Sequence, residues 1–182
     1  MIKKIKIVKD RNSTKILKEL KPFVSRWIER TFKTLTLPQQ YAIPLIKKGK
    51  NVLITAPTGS GKTLAAFFAI IDELFSLAEE KILEDKVYCV YVSPLRALDN
   101  DIRRNLLYPL TEIPKIAKDE FNTILKEIRI GVRTGDTLSS EKQKQLQKPP
   151  HILITTPETI AILLATKKFK EKTRSNEKRA RS

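Results

Sequence analysis

Apolar residues along the chain form short continuous runs that are separated by longer segments with helical spacing. Three runs are rich in β-branched or aromatic residues and lack alternating polar positions: 51–55 (NVLIT), 87–92 (VYCVYV) and 151–155 (HILIT). A weaker run of the same kind lies at 128–132 (IRIGV). Continuous apolar strands that alternate with helical segments are typical of parallel sheets covered on both faces, so these runs predict parallel strands.

The segments between the runs predict helices. Residues 62–77 are apolar almost all round, as expected of a helix buried against a sheet, whereas 94–107 and 139–147 are more amphipathic. Strands and helices therefore alternate along the chain. This order predicts an α/β domain with a doubly wound parallel sheet.

The regions before and after the alternating strands and helices contain no predicted strand. Residues 13–20 and 22–30 predict two short helices, and 35–49 (LTLPQQYAIPLIKKG) predicts a third that ends at Gly49. Beyond residue 166 the chain is polar, basic and without period, which indicates disorder. The predicted organisation is a basic segment with short helices, an α/β domain and a basic tail, over 1–30, 31–166 and 167–182.

The charge balance indicates a polyanionic partner. The chain has 36 Lys and Arg against 20 Asp and Glu, a formal charge of +16, and the cations crowd both ends. Nucleic acid is the commonest partner of such a surface. The alternative is a solvated surface that is merely basic.

The apolar content argues against a membrane or an oxidising compartment. The longest apolar run, 64–71 (LAAFFAII), is far too short to span a bilayer, and the N-terminus has no continuous apolar signal segment. The only cysteine, Cys89, lies inside an apolar run and predicts a core residue without a disulfide partner. We therefore expect a soluble, cytoplasmic protein with no membrane partner.

The stretch APTGSGKT, at 56–63, matches the Walker A pattern at every position but the first, where alanine replaces glycine. Gly59 and Gly61 would let successive backbone N–H groups turn towards phosphate oxygens. Lys62 could then reach the β- and γ-phosphates, and the Thr63 hydroxyl could ligate Mg²⁺. The residues predict an ATP and Mg²⁺ site between a strand at 51–55 and a helix that starts at Lys62.

Two further strand ends run into a proline-initiated helix, in 91–98 (YVSPLRAL) and 153–160 (LITTPETI). In a parallel sheet such helix N-termini gather at the carboxyl edge of the strands, where their N–H groups suit phosphates. The alternative is that Ser-Pro and Thr-Pro simply start helices well. The segment 133–137 (RTGDT) follows the weak strand and predicts either a plain glycine turn or part of the same edge.

These segments together resemble the superfamily-two helicases of the DExH type, and more narrowly the large helicase-related (Lhr) family of ATP-dependent DNA or RNA helicases. The resemblance covers 22–165 in collinear order. The segments that carry it are LTLPQQYAIP for the Q-motif region, APTGSGKT for motif I, SPLRAL for motif Ia, RTGD for the intermediate strand-contacting motif and TTPE for motif Ib.

The resemblance implies a fold and a set of site residues. The chain would be the front part of the first of two RecA-like domains of the P-loop NTPase class. Gln39 would read the adenine edge, and the phosphate loop would hold ATP and Mg²⁺ through Thr58, Gly59, Ser60, Gly61, Lys62 and Thr63. The other motifs would hold the backbone of DNA or RNA, without sequence preference, through Pro94, Arg96, Gly135, Asp136, Thr156 and Pro157.

The resemblance also implies parts that the sequence lacks. In the family, a strand ending in a DExH box follows the TTPE helix, whereas residues after 168 form no apolar strand and contain no such box. We therefore expect an incomplete sheet and binding without turnover, with the rest of the motor supplied by a separate chain or by a missing continuation. One alternative is a nucleic-acid-binding module with a relic phosphate loop. A small P-loop kinase is another, but its later acidic residue and arginine-rich lid are not visible.

Overall fold

The computed structural model describes residues 12–94 and 102–165. They form two compact units that are best considered separately. The helical unit comprises the described residues of 1–83 and 101–127, and the sheet unit comprises those of 84–100 and 128–182.

The helical unit confirms the helices predicted before and after the phosphate loop, with small shifts of their ends. None of its helices, and none elsewhere in the described chain, is long and apolar enough to cross a membrane. A π-helical turn, Arg103–Leu107, leads directly into the last helix, and the first part of the helix predicted at 94–107 lies outside the described residues. The α-helices are α1 (Ser13–Leu17), α2 (Pro22–Phe32), α3 (Leu37–Lys47), α4 (Lys62–Glu79) and α5 (Tyr108–Phe121).

Aromatic side chains fill the core of the helical unit. The ring of Trp27 on α2 meets Phe32 at 5.7 Å and Phe68 of α4 at 6.0 Å between centroids, in both cases edge to face. Phe23 meets Phe75 at 6.2 Å in the same manner. Edge-to-face pairs add to the free energy gained by burying the rings, because the ring quadrupoles attract one another in this arrangement. The nearly uniform apolar character of α4 is explained by this packing.

A buried carboxylate ties α4 to the segments before it. Asp72 of α4 is only 2% exposed and forms an ion pair with the Lys47 ammonium at the end of α3. The second Asp72 oxygen accepts the Lys21 backbone N–H at 2.6 Å, and Lys47 also donates to the Glu19 carbonyl at 2.8 Å. Since each partner of the buried carboxylate comes from a different segment, Asp72 fixes α3, α4 and the α1–α2 connection to one another.

The prediction of a strand at 51–55 is wrong. The structure assigns no strand there, although exposure alternates from residue to residue as in an extended chain, and the Leu53 side chain is 91% exposed. An extended segment becomes a strand only when a neighbour accepts and donates its backbone hydrogen bonds. Within the part of the chain that the structure describes, no strand pairs with this segment. The apolar run therefore has the composition of a buried strand, but in the described chain it has no neighbouring strand to pair with.

The sheet unit confirms the predicted parallel arrangement. Its strands follow the order β1-β3-β2, all parallel, with Tyr91, Ile154 and Val132 in register across them. The central strand is buried along its whole length, as its continuous apolar run predicts. The elements are β1 (Cys89–Val92), β2 (Ile130–Arg133), α6 (Ser139–Gln147), β3 (Ile152–Thr155) and α7 (Pro157–Ala165).

Cys89 occupies the first position of β1, and burial raises the pKa of its thiol to about 11. The thiol is therefore protonated at neutral pH and has little nucleophilic character. Cys89 is only half-buried, however, so it lies at the margin of the core and not inside it as the sequence predicts.

Candidate functional site

The phosphate loop lies between the extended segment and α4 in the helical unit. Gly59 and Gly61 adopt φ values of 81° and 82°, in the left-handed region that favours glycine. At Gly61 space is limiting as well, because an added Cβ would lie 2.5 Å from the Gln39 side-chain nitrogen. Nothing crowds Gly59, so its backbone angle alone requires glycine there.

Two residues at the start of α3 hold the loop from the side. Gln39 accepts the Thr36 backbone N–H through Oε1 at 2.9 Å, and its Nε2 donates to the Gly61 carbonyl at 3.4 Å. The Thr36 hydroxyl donates to the Ser60 carbonyl at 2.9 Å. The structure therefore places Gln39, which is 2% exposed, directly against the loop. It adds Thr36, which our sequence reasoning missed although Thr36 and Gln39 have the spacing of a helix capping box.

Lys62 begins α4 and folds back over the loop. Its Nζ donates to the carbonyls of Ala56 and Pro57 at 2.7 and 2.8 Å. The Ser60 hydroxyl is buried and has no hydrogen-bond partner among the described residues. Thr63 follows as the second residue of the helix, and Thr58 is exposed at the outer side of the loop.

This arrangement fits a nucleotide phosphate group. The 18-residue helix α4 directs its N-terminus, with unsatisfied backbone N–H groups and the positive end of its dipole, at the loop. The ammonium of Lys62 and the unpartnered hydroxyl of Ser60 add donors that a phosphate oxygen could accept. The described residues contain no cluster of three or more His, Cys, Asp or Glu side chains that could hold a metal ion. Thr63 therefore stays the predicted Mg²⁺ contact of the loop.

The predicted strand-contacting residues lie in the sheet unit, at the carboxyl ends of its three strands. Because β3 lies between β1 and β2, the segment after β3 lies between the other two. The structure thus brings five of the predicted residues to one edge of the sheet, whereas Arg96 lies outside the described residues. The five are Pro94 after β1, Gly135 and Asp136 after β2, and Thr156 and Pro157 after β3.

Hydrogen bonds fix the strand ends at this edge. The Ser93 N–H donates to the Thr155 carbonyl at 3.1 Å, and the Thr155 hydroxyl donates to the Arg133 carbonyl at 2.7 Å. The Thr134 N–H donates to the Thr137 hydroxyl at 2.8 Å, which closes the turn that contains Gly135. The residues Ser93, Thr134 and Thr155, which form these bonds, are buried. Gly135 and Asp136 are exposed and open to a ligand.

The Glu158 carboxylate near this edge has a structural role at the start of α7. Hydrogen bonds from its own backbone N–H and from the Thr156 hydroxyl lower the pKa of the Glu158 carboxyl. Glu158 lies in the first turn of α7, where a negative charge also complements the helix dipole. A carboxylate stabilised in its ionised form is a weak proton acceptor, so Glu158 is a poor candidate for a general base.

A glycine loop that opens on a helix N-terminus, together with a parallel sheet whose strand ends form an open edge, defines a RecA-like domain of the P-loop NTPase class. The chain belongs to the DEAD/DEAH box helicase family, whose model matches residues 36–177.

Similar proteins include ATP-dependent helicases of the Lhr-Core type. The chain is 60% identical over 149 residues to Lhr-Core protein 2 of Thermococcus barophilus, covering 82% of this chain and 17% of that protein. It is 59% identical over 153 residues to the Lhr-Core helicase of Methanothermobacter thermautotrophicus, covering 84% of this chain and 18% of that protein. The chain thus spans less than a fifth of the length of these relatives.

Solved structures give the same result. Mycobacterium smegmatis helicase Lhr, bound to ssDNA and AMP-PNP, is similar with a TM-score of 0.73 and 37% identity over 84% of this chain and 19% of that one. The DEAD-box helicase Mss116, bound to ssRNA and UDP-BeF, is similar with a TM-score of 0.60 and 27% identity, over 86% and 30% of the two chains. The chain therefore corresponds to part of a helicase motor domain.

Proposed function

We propose that this chain binds ATP with Mg²⁺ and holds the backbone of a single nucleic acid strand, as the front part of a helicase motor. The observation that carries the proposal is the attachment of the Q-motif region to the phosphate loop through Thr36, Gln39 and Gly61. These bonds engage loop carbonyls and so leave the backbone N–H groups at the start of α4 available for phosphate oxygens. The similar Lhr helicase was solved with ssDNA and AMP-PNP, which agrees with both proposed ligands.

In the nucleotide site, Lys62 would exchange the carbonyls of Ala56 and Pro57 for phosphate oxygens, a stronger charge-assisted interaction. Ser60 and the N–H groups at the start of α4 would contact further oxygens, and Thr63 would contact Mg²⁺. Gln39 would hold Gly61 and, through its amide, recognise adenine. Bound ATP supplies the phosphoanhydride bond whose hydrolysis drives family motors, and this chain's residues bind and orient it.

In the strand site, backbone phosphates would lie along the carboxyl edge of the sheet unit. The contacts available there are the backbone of the turn at Gly135 and Asp136, the N-terminus of α7 at Thr156 and Pro157, and Pro94. Arg96 would add a cation. Contacts of these kinds to phosphates carry no sequence information, so sequence-independent binding follows.

The rest of the motor would come from a separate chain or from a continuation of this one. β1 is an edge strand of the three-stranded sheet, and its Val90 and Val92 side chains are 40% and 44% exposed. The apolar segment 51–55 likewise has no strand neighbour among the described residues. Edge strands with apolar side chains pair readily with other strands, so these segments suit a partner that completes the sheet.

We expect the purified chain to bind nucleotide without measurable turnover, even with nucleic acid present. Hydrolysis needs a carboxylate that aligns the attacking water and a cation opposite the phosphates, and arginine fingers alone contribute on the order of 10³–10⁵ in rate. Among the described residues, Glu158 is engaged at a helix N-terminus and no metal-binding cluster is present. A phosphate-release assay with and without oligonucleotide checks this. Robust release that Lys62→Ala abolishes would contradict it and direct attention to Asp136.

The affinity for a nucleic acid strand should fall steeply as the salt concentration rises. It should also require the Gly135 turn. An added Cβ at Gly135 meets nothing within 4 Å, so Gly135→Leu should fold normally while its side chain blocks the approach of a phosphate. The slope of log K against log salt reports phosphates neutralised by Lys or Arg, so we expect this uncharged substitution to weaken binding at every salt concentration while changing the slope little. Fluorescence anisotropy with a labelled oligothymidylate measures both the affinity and the slope. The same substitution at Gly49, which is equally uncrowded but has a positive φ of 65°, is unsuitable as a control. Thr34→Leu, which places the same side chain at an exposed, uncharged position of the helical unit, serves instead.

If Gly135→Leu bound the strand as the unaltered chain does, the edge of the sheet would not be the strand site. If the unaltered chain showed no salt-dependent binding, the nucleic acid part of the proposed function would be wrong.

A further inference from the structure

Lys142 of α6 lies against the turn that follows β2. Its Nζ is 3.4 Å from the carbonyl oxygen of Gly135. Its side chain is half-buried, whereas Glu141 and Gln143 on either side of it are exposed. No sequence motif contains this lysine. It lies on α6, a polar helix with no buried residue, so the sequence pattern does not distinguish it from its neighbours.

The orientation of α6 explains why Lys142 reaches this turn. Gln145, three residues further on, donates its side-chain N–H to the Val132 carbonyl at 3.0 Å, so the face shared by Lys142 and Gln145 is turned towards β2. Lys144 lies about 200° around the helix from Lys142 and is exposed. Two lysines on one helix thus differ in their distance from the proposed strand site.

The ammonium group of Lys142 has donors to spare. An ammonium carries three N–H donors, and the Gly135 carbonyl engages only one of them at a distance near the upper limit for a hydrogen bond. No carboxylate of the described residues forms an ion pair with Lys142. A cation with free donors therefore lies beside the exposed Gly135 and Asp136.

We propose that Lys142 contacts a backbone phosphate of the bound strand and so extends the strand site from the sheet edge onto α6. This inference rests on the proposed function, because it requires the strand to pass the Gly135 turn. A phosphate beside Gly135 would lie within reach of the Nζ atom, and the charged pair would replace a weak bond to a neutral carbonyl. The contact is made to the phosphodiester and is common to DNA and RNA.

The test compares Lys142→Ala with Lys144→Ala in the full chain. Anisotropy titrations over a range of salt concentrations would use labelled oligothymidylate and labelled oligouridylate. We expect Lys142→Ala to lower the salt slope by about 0.7 on both strands, which corresponds to one phosphate contact. Lys144→Ala should leave the slope unchanged, and Lys142→Arg, which retains the charge, should restore it.

Equal losses for the two alanine variants would overturn the inference, since any lysine of α6 would then act through net charge alone. An effect on oligouridylate only would also overturn it, in favour of a contact to the 2′-hydroxyl. An affinity lowered by Gly135→Leu, together with a slope unchanged by Lys142→Ala, would reject Lys142 while retaining the proposed function. Absence of salt-dependent binding in the unaltered chain would reject both.

Discussion

Replacing Lys62 with alanine should weaken adenine nucleotide binding by about 10- to 100-fold. A hydrogen bond to a charged group contributes about 1.5–3 kcal/mol, and each 1.4 kcal/mol corresponds to a factor of ten. Lys62 would provide such bonds to the β- and γ-phosphates, since it begins α4 with its ammonium over the loop. A titration with a fluorescent adenine nucleotide in the presence of Mg²⁺ measures the change.

Lys48→Ala is a matched control for this substitution. Lys48 is an exposed lysine of the same unit, at the end of α3 and outside the loop at 56–63. We expect it to bind nucleotide like the unaltered chain. Trp27 fluorescence would verify that both variants keep the helical unit folded, because the only tryptophan lies in its core.

The same experiment separates the proposed function from its main alternative. In the structure Lys62 donates to two loop carbonyls, an arrangement that a relic loop could keep for its own stability. In a relic, Lys62→Ala would lower the stability of the loop and leave nucleotide binding equally weak. Identical titration curves for the two proteins would therefore favour a nucleic-acid-binding module. A selective loss of nucleotide affinity would support a working site.

The helices and the parallel sheet could be predicted because their signals are local. The apolar run of β3 is continuous, and the strand is buried along its length between two parallel neighbours. The sequence predicts the polar helix at 139–147 with the bounds that the structure gives, since its helical spacing ends just before Pro149 and Pro150. For these elements the structure that the composition favours is also the structure that the neighbouring elements allow.

The segment 51–55 shows that the composition of a segment does not reveal whether a pairing strand is present. Its composition is as favourable to a strand as that of β3, yet Leu53 is 91% exposed and the segment has no strand neighbour in the described chain. Sheet formation depends on which segments are present to pair, and composition records only that a segment would suit such a partner. The apolar run is consistent with a strand that forms when a partner is supplied.

The phosphate loop was predictable because a short motif specifies backbone angles. Glycine at positions 59 and 61 is explained by φ values near 80°, which the motif encodes directly. The support by Thr36 depends on a contact across 24 residues and could be found only through the capping box that places Thr36 beside Gln39. Lys142 has no such signal, because its position follows from how α6 packs on β2.

Replacing Lys47 with methionine should destabilise the helical unit by about 2–4 kcal/mol. Removing one partner of a buried ion pair leaves the other charge buried without compensation, which costs about 3–5 kcal/mol when both groups are inaccessible. Asp72 is 2% exposed, but the Lys47 side chain is 24% exposed, so water reaches the pair and shifts the expected cost below that range, to about 2–4 kcal/mol. Urea unfolding monitored by Trp27 fluorescence reports on this unit, in which Trp27, Lys47 and Asp72 all lie.

Two further variants identify the cause of the loss. Lys115→Met removes the cation of an exposed pair with Glu112 on α5, and should cost less than about 0.5 kcal/mol because water and salt screen such pairs. In Lys47→Met/Asp72→Asn the buried negative charge is absent, while the asparagine oxygen can still accept the Lys21 N–H. The double variant should therefore be more stable than Lys47→Met alone. If Lys47→Met were no less stable than Lys115→Met, Asp72 could not be the carboxylate that joins α3 to α4, and packing of the aromatic core would have to account for the cohesion of this unit.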